Sequence, residues 1–415
     1  MFGRENMVTD VIIIGGGAAG LCSAVYLKKK NPDVTVRILE SGTRVGKKLA
    51  LTGNGRCNIT NRNVEISRYH GNDVEFCRYA LEKYDLSFTE TFFEEIGVPF
   101  VFENDKGYPA SLQAASVVDC LRFAADELGV ITNFETKVTN IQISQGNYKI
   151  IADNLNFLAK NVIVASGLFS GGDRLGCDGS MLNLLKKAGF STVETSPAIV
   201  QIKTVTDIVK QLKGIKINAL ASLKSNSNVI RKEFGEVLFC DYGLSGPPIL
   251  QISREVSRTK EKCTVSLDIL PDYTFSEVCN ILSERKKNLF FRTFDEFFTG
   301  LLNKRLGQII LKSVGIKLSD KAENLNERQI KQLASVLKNF EFEVTGTTGF
   351  SNSQVTAGGL ATVNFNAQTM ESKESKGLYA VGEILDIDGD CGGFNLQWAW
   401  SSAFCACDSI IECKL

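Results

Sequence analysis

Histidine is almost missing from this chain: His70 is the only one in 415 residues. Ser-His-Asp or Cys-His catalysis would have to rest on that single ring, and a zinc site built from Cys and His has almost nothing to draw on. A lone histidine is more often a satisfied polar residue. The twelve cysteines contain no C-x-x-C pair, the closest two being Cys405 and Cys407, and a chain of this length does not need disulfide staples. Reduced, mostly buried thiols are expected. There is no excess of either charge: Lys+Arg and Asp+Glu both number 47. The chain as a whole is therefore not built to attract nucleic acid or an anionic membrane. Its run Lys28 to Lys30 fits a helix C-terminus. There is no 18-residue apolar run and no signal-peptide core over Met1 to Thr9, so a cytoplasmic protein without a membrane span is expected. The length calls for two or three domains.

Asp10-Val-Ile-Ile-Ile-Gly-Gly-Gly-Ala-Ala-Gly20 stands out against these absences. Val11 to Ile14 is a short β-branched run suited to a strand buried on both faces. Gly15, Gly17 and Gly20 follow in G-x-G-x-x-G spacing. They provide a tight turn, a bare backbone for a pyrophosphate and close contact between the next helix and the strand. That helix reads Ala18 to Lys30, and its N-terminus offers free N–H groups to a diphosphate. A second strand, Val34 to Leu39, ends at Glu40, whose carboxylate suits the two hydroxyls of an adenosine ribose and argues against a 2′-phosphate. A lone glycine motif is weak; strand, glycines, helix, strand and acid in this order are strong.

The segment Ser41 to Asn61 holds four glycines, two lysines and two arginines without strand or helix periodicity. It reads as a loop running along the cofactor, anchored by Leu49, Leu51 and Ile59, with Arg56 and Asn58 as polar contacts. Cys57 suits a small residue in a tight loop better than a redox thiol, because no second cysteine is spaced to resolve it. The spacing then predicts a helix over 74–97, a hairpin over Val98 to Pro109, a helix from Ala114 to Leu128, and strands at Val130 to Phe134 and Thr136 to Ile143. Asn161 to Gly167 repeats the buried strand ending in glycine, where open α/β sheets place ligands. Another helix begins at Asp178.

From about Thr192 short strands alternate with turns, which predicts a small β-barrel or sandwich over 192–273. Residues 274–341 read as a helical subdomain, with Phe290, Phe291, Phe294, Phe297 and Phe298 as a core stripe, and the first domain resumes near Phe342. Lys376 to Glu383 is one more buried strand ending in Gly-Glu, followed by Asp386, Gly389 and Gly392-Gly-Phe-Asn-Leu-Gln-Trp-Ala-Trp400. A helix from Leu396 would aim its N-terminus at Gly392 and Gly393, suiting negative charge at a flavin N1/O2 edge. One extended cofactor of the length of FAD serves both glycine-rich ends, and the single G-x-G-x-x-G leaves no separate nicotinamide domain. The expected fold class is α/β. It is a Rossmann-like FAD-binding domain of the glutathione-reductase type (1–191 and 342–415), interrupted by a β-barrel insert that carries the helical subdomain.

Over nearly its whole length the chain resembles the BaiN-like flavoproteins, some of whose relatives are named aminoacetone-oxidase-like FAD-binding enzymes. The resemblance rests on Ile12 to Gly20, Gly53-Asn-Gly-Arg-Cys-Asn58, Gly243-Leu-Ser-Gly-Pro247, Val355-Thr-Ala-Gly-Gly359, Thr369-Met-Glu-Ser-Lys373, Gly382 to Gly389 and Gly392 to Trp400. It implies FAD and flavin-dependent oxidoreduction, with NADH or NADPH as electron source. Cofactor contacts are expected at Gly15, Gly17, Ala18, Ala19, Gly20, Glu40, Ser41, Lys47, Lys48, Gly55, Arg56, Cys57 and Asn58. They continue at Val138, Ala165, Ser166, Gly167, Gly382, Glu383, Asp386, Gly392, Gly393, Phe394, Asn395 and Leu396. The chain departs from the family pattern at Lys106-Gly-Tyr-Pro109, where a Gly-Arg-Val-Phe-Pro-like segment is usual. It departs again at Ala165-Ser-Gly-Leu168 and at Cys405-Ala-Cys-Asp408. The first of these bears on a substrate-side arginine.

The leading expectation is NAD(P)H-fed reduction of a small organic substrate, such as an enone-like C=C bond, by hydride from flavin N5. The alternatives are an amine oxidase that passes electrons to oxygen, and a flavin redox sensor or RNA-associated protein. Tyr108, Tyr242, Arg56 and His70 are the candidates for a proton donor; each also has an ordinary structural reading, and none is singled out. Nothing in the sequence sets an oligomeric state.

Overall fold

The computed structural model describes residues 8–144, 147–153, 155–226 and 228–413. The chain divides into two compact units, Met1–Pro197 with Phe350–Leu415, and Ala198–Gly349.

In the first unit, five parallel strands lie in the order Ile131–Asn133, Val36–Leu39, Thr9–Ile14, Leu155–Val164 and Leu378–Ala380. Val11, Ile12 and Ile13 are wholly buried, as a strand covered on both faces requires. The long strand Leu155–Val164 does two jobs. Its second half pairs in parallel with Thr9–Ile14, and its first half runs antiparallel to Asn147–Ala152, which in turn pairs with Val138–Ser144. The sequence reading found the first strand of this meander and its end, and missed Asn147–Ala152 and the first half of Leu155–Val164.

Helix Ala18–Lys30 packs against the long helix Phe394–Glu412. Tyr26 and Tyr84 donate to the two carboxylate oxygens of Asp408 at 2.9 and 2.6 Å. Trp398 and Trp400 are buried, their indole N–H groups donating to the carbonyls of Gly382 and Ile59 at 3.2 and 2.9 Å. Gln397, fully buried, has Tyr84 O, Thr89 Oγ1 and Ser401 Oγ within 3.0 Å of the nitrogen that carries its two N–H donors and accepts from Thr60 Oγ1. A buried amide so fully matched fixes the helix register without a desolvation penalty.

The continuous helix expected over 74–97 is instead two, Arg78–Lys83 and Leu86–Glu95. Asp85 divides them by capping the second, its carboxylate accepting from Phe88 N at 2.9 Å. The hairpin Phe100–Glu103 with Lys106–Pro109 turns on Asn104 and Asp105, both at positive φ (48° and 66°). Lys106–Pro109 also pairs with Thr60–Asn61, which ties the glycine-rich loop to the hairpin.

In the second unit, six strands close a barrel in the order Ile202–Thr204, Gly243–Ser245, Asn228–Phe239, Lys216–Ser225, Cys263–Asp268 and Phe340–Thr347. The last strand, read from the sequence as the return to the first domain near Phe342, pairs with Ile202–Thr204 and so completes the barrel. Its alternating Phe340 and Phe342 are buried, and closure removes the exposed edge. Conversely, Thr192–Ala198 pairs with Val355–Leu360, a strand of the first unit. Helices Phe275–Asn288, Lys304–Ser313 and Glu327–Lys338 share one core with the barrel, as does Pro247–Arg258, a helix with proline in its first turn that the sequence reading did not assign. Of the expected phenylalanine stripe, Phe294, Phe297 and Phe298 are core, whereas Phe290 and Phe291 are more than half exposed. Among the described residues no helix is long and apolar enough to cross a membrane.

Candidate cofactor and active site

Three of the five parallel strands of the first unit, Thr9–Ile14, Leu155–Val164 and Leu378–Ala380, run out into glycines at the same edge of the sheet, Gly15, Gly167 and Gly382. Gly15 follows its strand at φ +103°; a side chain there would meet Ala165 O at 2.7 Å and Ser166 Cα at 2.8 Å. A side chain at Gly20 would meet Gly15 O at 1.9 Å, so helix and strand touch backbone to backbone. Gly17 differs, with nothing within 4 Å of the position a Cβ would take. It is the N-cap of helix Ala18–Lys30, and no side chain caps the first-turn N–H groups of that helix.

Glu40 lies alongside. Its Oε2 accepts from Gly16 N at 2.8 Å and its Oε1 from Gly42 N at 2.7 Å, with Ser41 Oγ at 3.5 Å. Two amides thus hold the carboxylate in place while Oε2 keeps a further lone pair. Lys47 reaches back beside Gly42. Residues 133–138 cross the same loop through Glu135 N to Gly42 O and Thr136 N to Glu40 O, which brings buried Val138 near Glu40.

Ala165, Ser166 and Gly167 extend the central strand, Gly167 at φ +63° with open space around it. Gly382, at φ +69°, lies against Ala19. Glu383 accepts from Thr356 N at 3.1 Å and Ser170 Oγ at 2.5 Å and pairs with Lys48, whose ammonium also contacts Ser170. Lys48 and Glu383 therefore balance each other's charge in a half-buried setting. Ser170 and Thr356 complete this group and were not among the expected contacts; Thr356 lies in the Val355-Thr-Ala-Gly-Gly359 motif, whereas no local sequence pattern marks Ser170.

The loop 49–59 carries Gly53, Asn54, Gly55 and Cys57 at positive φ, with open space around Gly55. Cys57 is wholly buried, and burial pushes its thiol up to about 12, so it is a packed thiol and not a redox thiolate. Asn58 Oδ1 is buried without a hydrogen-bond partner among the described residues. Arg56 is committed to the hairpin, paired with Glu103 at 2.6 Å and stacked 4.3 Å over Tyr108. Tyr108 is itself buried, and burial raises its hydroxyl despite that guanidinium.

The long helix begins at Phe394, two residues before the expected Leu396. Gly392 and Gly393 stand at φ +120° and +107°, Gly393 pressed on Thr60 O, and no side chain caps the helix. Three expected contact residues here have scaffold partners for their side chains. Asn395 closes both ends of its amide on Gly389 at 2.8 and 2.7 Å, Phe394 packs edge-on against Tyr69, and Asp386 accepts from Asn72 N at 2.9 Å. Leu396 is half-buried. The Lys106 stem lies against Gly392, so a cation stands where the sequence comparison looked for an arginine. His70 Nε2 lies 2.8 Å from Asp390 Oδ1. Tyr242 belongs to the second unit, where burial and a hydrogen bond to Cys240 push its hydroxyl up.

A family profile described as the HI0933-like protein Rossmann domain matches residues 9–409. The chain belongs to the HI0933-like family. It is 34% identical over 400 residues to the 3-dehydro-bile acid delta(4,6)-reductase of Clostridium scindens, an alignment covering 95% of this chain and 97% of that protein. It is 29% identical over 412 residues to the ribosomal RNA dihydrouridine synthase of Haemophilus influenzae, covering 98% and 99%. Among solved structures, a quinol-fumarate reductase with menaquinol superposes with a TM-score of 0.52 at 15% identity, covering 98% of this chain and 71% of that one. The expected fold class is borne out, and the HI0933-like chain is an FAD-dependent oxidoreductase of BaiN-like kind.

Proposed function

We propose that the protein holds FAD along its glycine-lined edge and uses it to reduce a carbon–carbon double bond conjugated to a carbonyl in a small organic substrate, fed by NADH or NADPH. In this reading Gly17 and the first turn of Ala18–Lys30 take the diphosphate, Glu40 takes the adenosine ribose, and Glu383 with Lys48 meets the ribityl chain. Asn58 and the helix start at Gly392-Gly393 meet the ring. The observation that carries the cofactor assignment is the pairing of a vacant, uncapped cradle at Gly17 with an unmatched buried acceptor at Asn58 Oδ1. A buried acceptor of this kind is costly unless a donor such as a flavin N–H or a hydroxyl meets it. Bound FAD supplies hydride chemistry; the protein orients it and excludes water. The closeness to a reductase of an unsaturated ketone-bearing steroid supports the conjugated bond as target.

The test is anaerobic stopped-flow absorbance of the yellow protein. Loss of absorbance near ~450 nm on mixing with NADH or NADPH, and its return on adding an unsaturated ketone, is the expected result. Failure of reconstituted protein to hold any flavin removes the cofactor assignment; flavin reduction by an amine and reoxidation by oxygen, with no reoxidation by an enone, would make it an oxidase.

A second reading has one observation in its favour: two relatives, from Haemophilus influenzae and Escherichia coli, are named ribosomal RNA dihydrouridine synthase. The double bond of a uracil ring is also conjugated to a carbonyl, so the same hydride chemistry applies. The balanced charge of the chain argues the other way. Salt-dependent binding of ribosomal RNA, steep in log–log form, would favour this reading.

A further inference from the structure

We propose that the chain's one histidine, His70, held by Asp390, delivers the proton in the reduction described above, an inference that rests on the conjugated C=C reading. Strand Tyr69–His70 pairs antiparallel with Asp388–Gly389, His70 opposite Asp388 and Tyr69 opposite Gly389. This register sets the ring beside the turn that leads into Gly392 and Gly393. Tyr69 fixes the other side, its hydroxyl donating to Phe394 O at 3.1 Å. His70 is thus anchored both to the turn and to the first residue of the long helix.

The ring is oriented by Asp390. Its Nε2 is 2.8 Å from Oδ1 of a carboxylate whose side chain is 4% exposed, and Asp390 N donates to Arg68 O at 2.8 Å. With Nε2–H committed to Asp390, Nδ1 is the nitrogen left to exchange a proton, and it has no partner among the described residues. The ring itself is 22% exposed, enough to recover a proton from water. The charged groups around it are Asp388 across the strand pair, Asp386 holding Asn72 N, and Arg68 at 3.5 Å from Asp390. Cys391 and Lys106 lie beyond them.

The other donors considered are worse placed chemically. Burial raises the hydroxyls of Tyr108 and Tyr242 above their ordinary value, and Arg56 is tied to Glu103. Histidine alone changes charge between about pH 5 and 8. The step balances. Hydride from the reduced cofactor forms the C–H bond at the β carbon, and the π pair of the C=C bond takes the His70 proton at the α carbon. Imidazolium becomes imidazole, which water reprotonates. The electron pair comes from a reduced nicotinamide, or from dithionite in the test.

The test uses untagged FAD-loaded protein, reduced with dithionite and mixed anaerobically with cyclohexenone or progesterone. The native rate of flavin reoxidation should fall as pH rises, at the midpoint where the single histidine NMR resonance titrates. That resonance should also move when the oxidised holoenzyme binds cyclohexenone. His70→Gln should lose the pH limb and slow reoxidation by roughly 100-fold or more, with flavin spectrum and retention unchanged. Asp390→Asn should displace both the resonance midpoint and the rate midpoint together. A His70→Gln rate within about threefold of native with the same pH limb, or a histidine resonance blind to cyclohexenone, overturns the proposal alone. Native protein whose reduced flavin no enone reoxidises removes the underlying reading and the proposal with it.

Discussion

The helices Ala18–Lys30 and Phe394–Glu412 both start at a glycine with no side-chain cap, yet the two starts are built in opposite ways. At Gly17 the backbone is extended (φ −82°) and no atom lies within 4 Å of where a side chain would begin. At Gly393 φ is +107° and Thr60 O lies 2.2 Å from that point. The first start is secured from behind, where Gly20 rests on Gly15 O, and its front is open. The second is wedged at the front by its own fold. Identical residue types thus meet different surroundings, one open and one packed, and what a notional Cβ would touch separates the two.

The comparison can be broken most severely at the wedged start. Gly393→Ala combines a strained φ with a backbone clash and should cost about 3–5 kcal/mol in urea unfolding. Gly20→Val, which drives a side chain into Gly15 O, should fall in the same class. At the open start the outcome should invert. Gly17→Val should leave the melting temperature of the flavin-free protein within about 2 °C while flavin retention is lost; a large drop in melting temperature would show that the front of Gly17 is not open. Glu40→Gln should act more mildly, because the amide keeps one acceptor for Gly16 N or Gly42 N but not both, lowering FAD affinity by about tenfold in equilibrium titration. The smallest effect concerns the loop between the two starts. Cys57 keeps its proton up to about 12, against an ordinary 9.0, because it is buried. The unfolded thiol ionises first, so stability should decline as pH rises from 9.0 towards 12. Cys57→Ala should flatten that decline slightly in pH-dependent denaturation.

The open start was legible because all its parts lie within one stretch, Asp10 to Glu40, and each glycine has a stereochemical reason that spacing alone conveys. The barrel was legible as short strands and turns, but its closing strand was not, since pairing Phe340–Thr347 with Ile202–Thr204 is a long-range event that no local pattern records. The break at Asp85 was written in the sequence as a capping residue, but the apolar periodicity on either side masked it. At the wedged start, Asn395 looked like a ligand contact because of its company; only the pairing with Gly389 shows that its amide is spent. The meeting of His70 with Asp390 is least legible of all, as 320 residues separate the partners.

The long buried helix also orders events during synthesis. Helix Ala18–Lys30 and the strand before it are made early, but the side chains of the long helix that pack on that first helix, Phe404, Cys407 and Asp408 among them, are made after the whole of Ala198–Gly349. The barrel unit is one uninterrupted stretch and has its full core when Gly349 has left the ribosome. The glycine cradle, though first to be translated, reaches its final packing only after the barrel's chain is complete. A nascent chain arrested before Gly392 would carry a complete barrel core beside an open sheet, and any FAD captured then would meet a cradle still lacking its back wall.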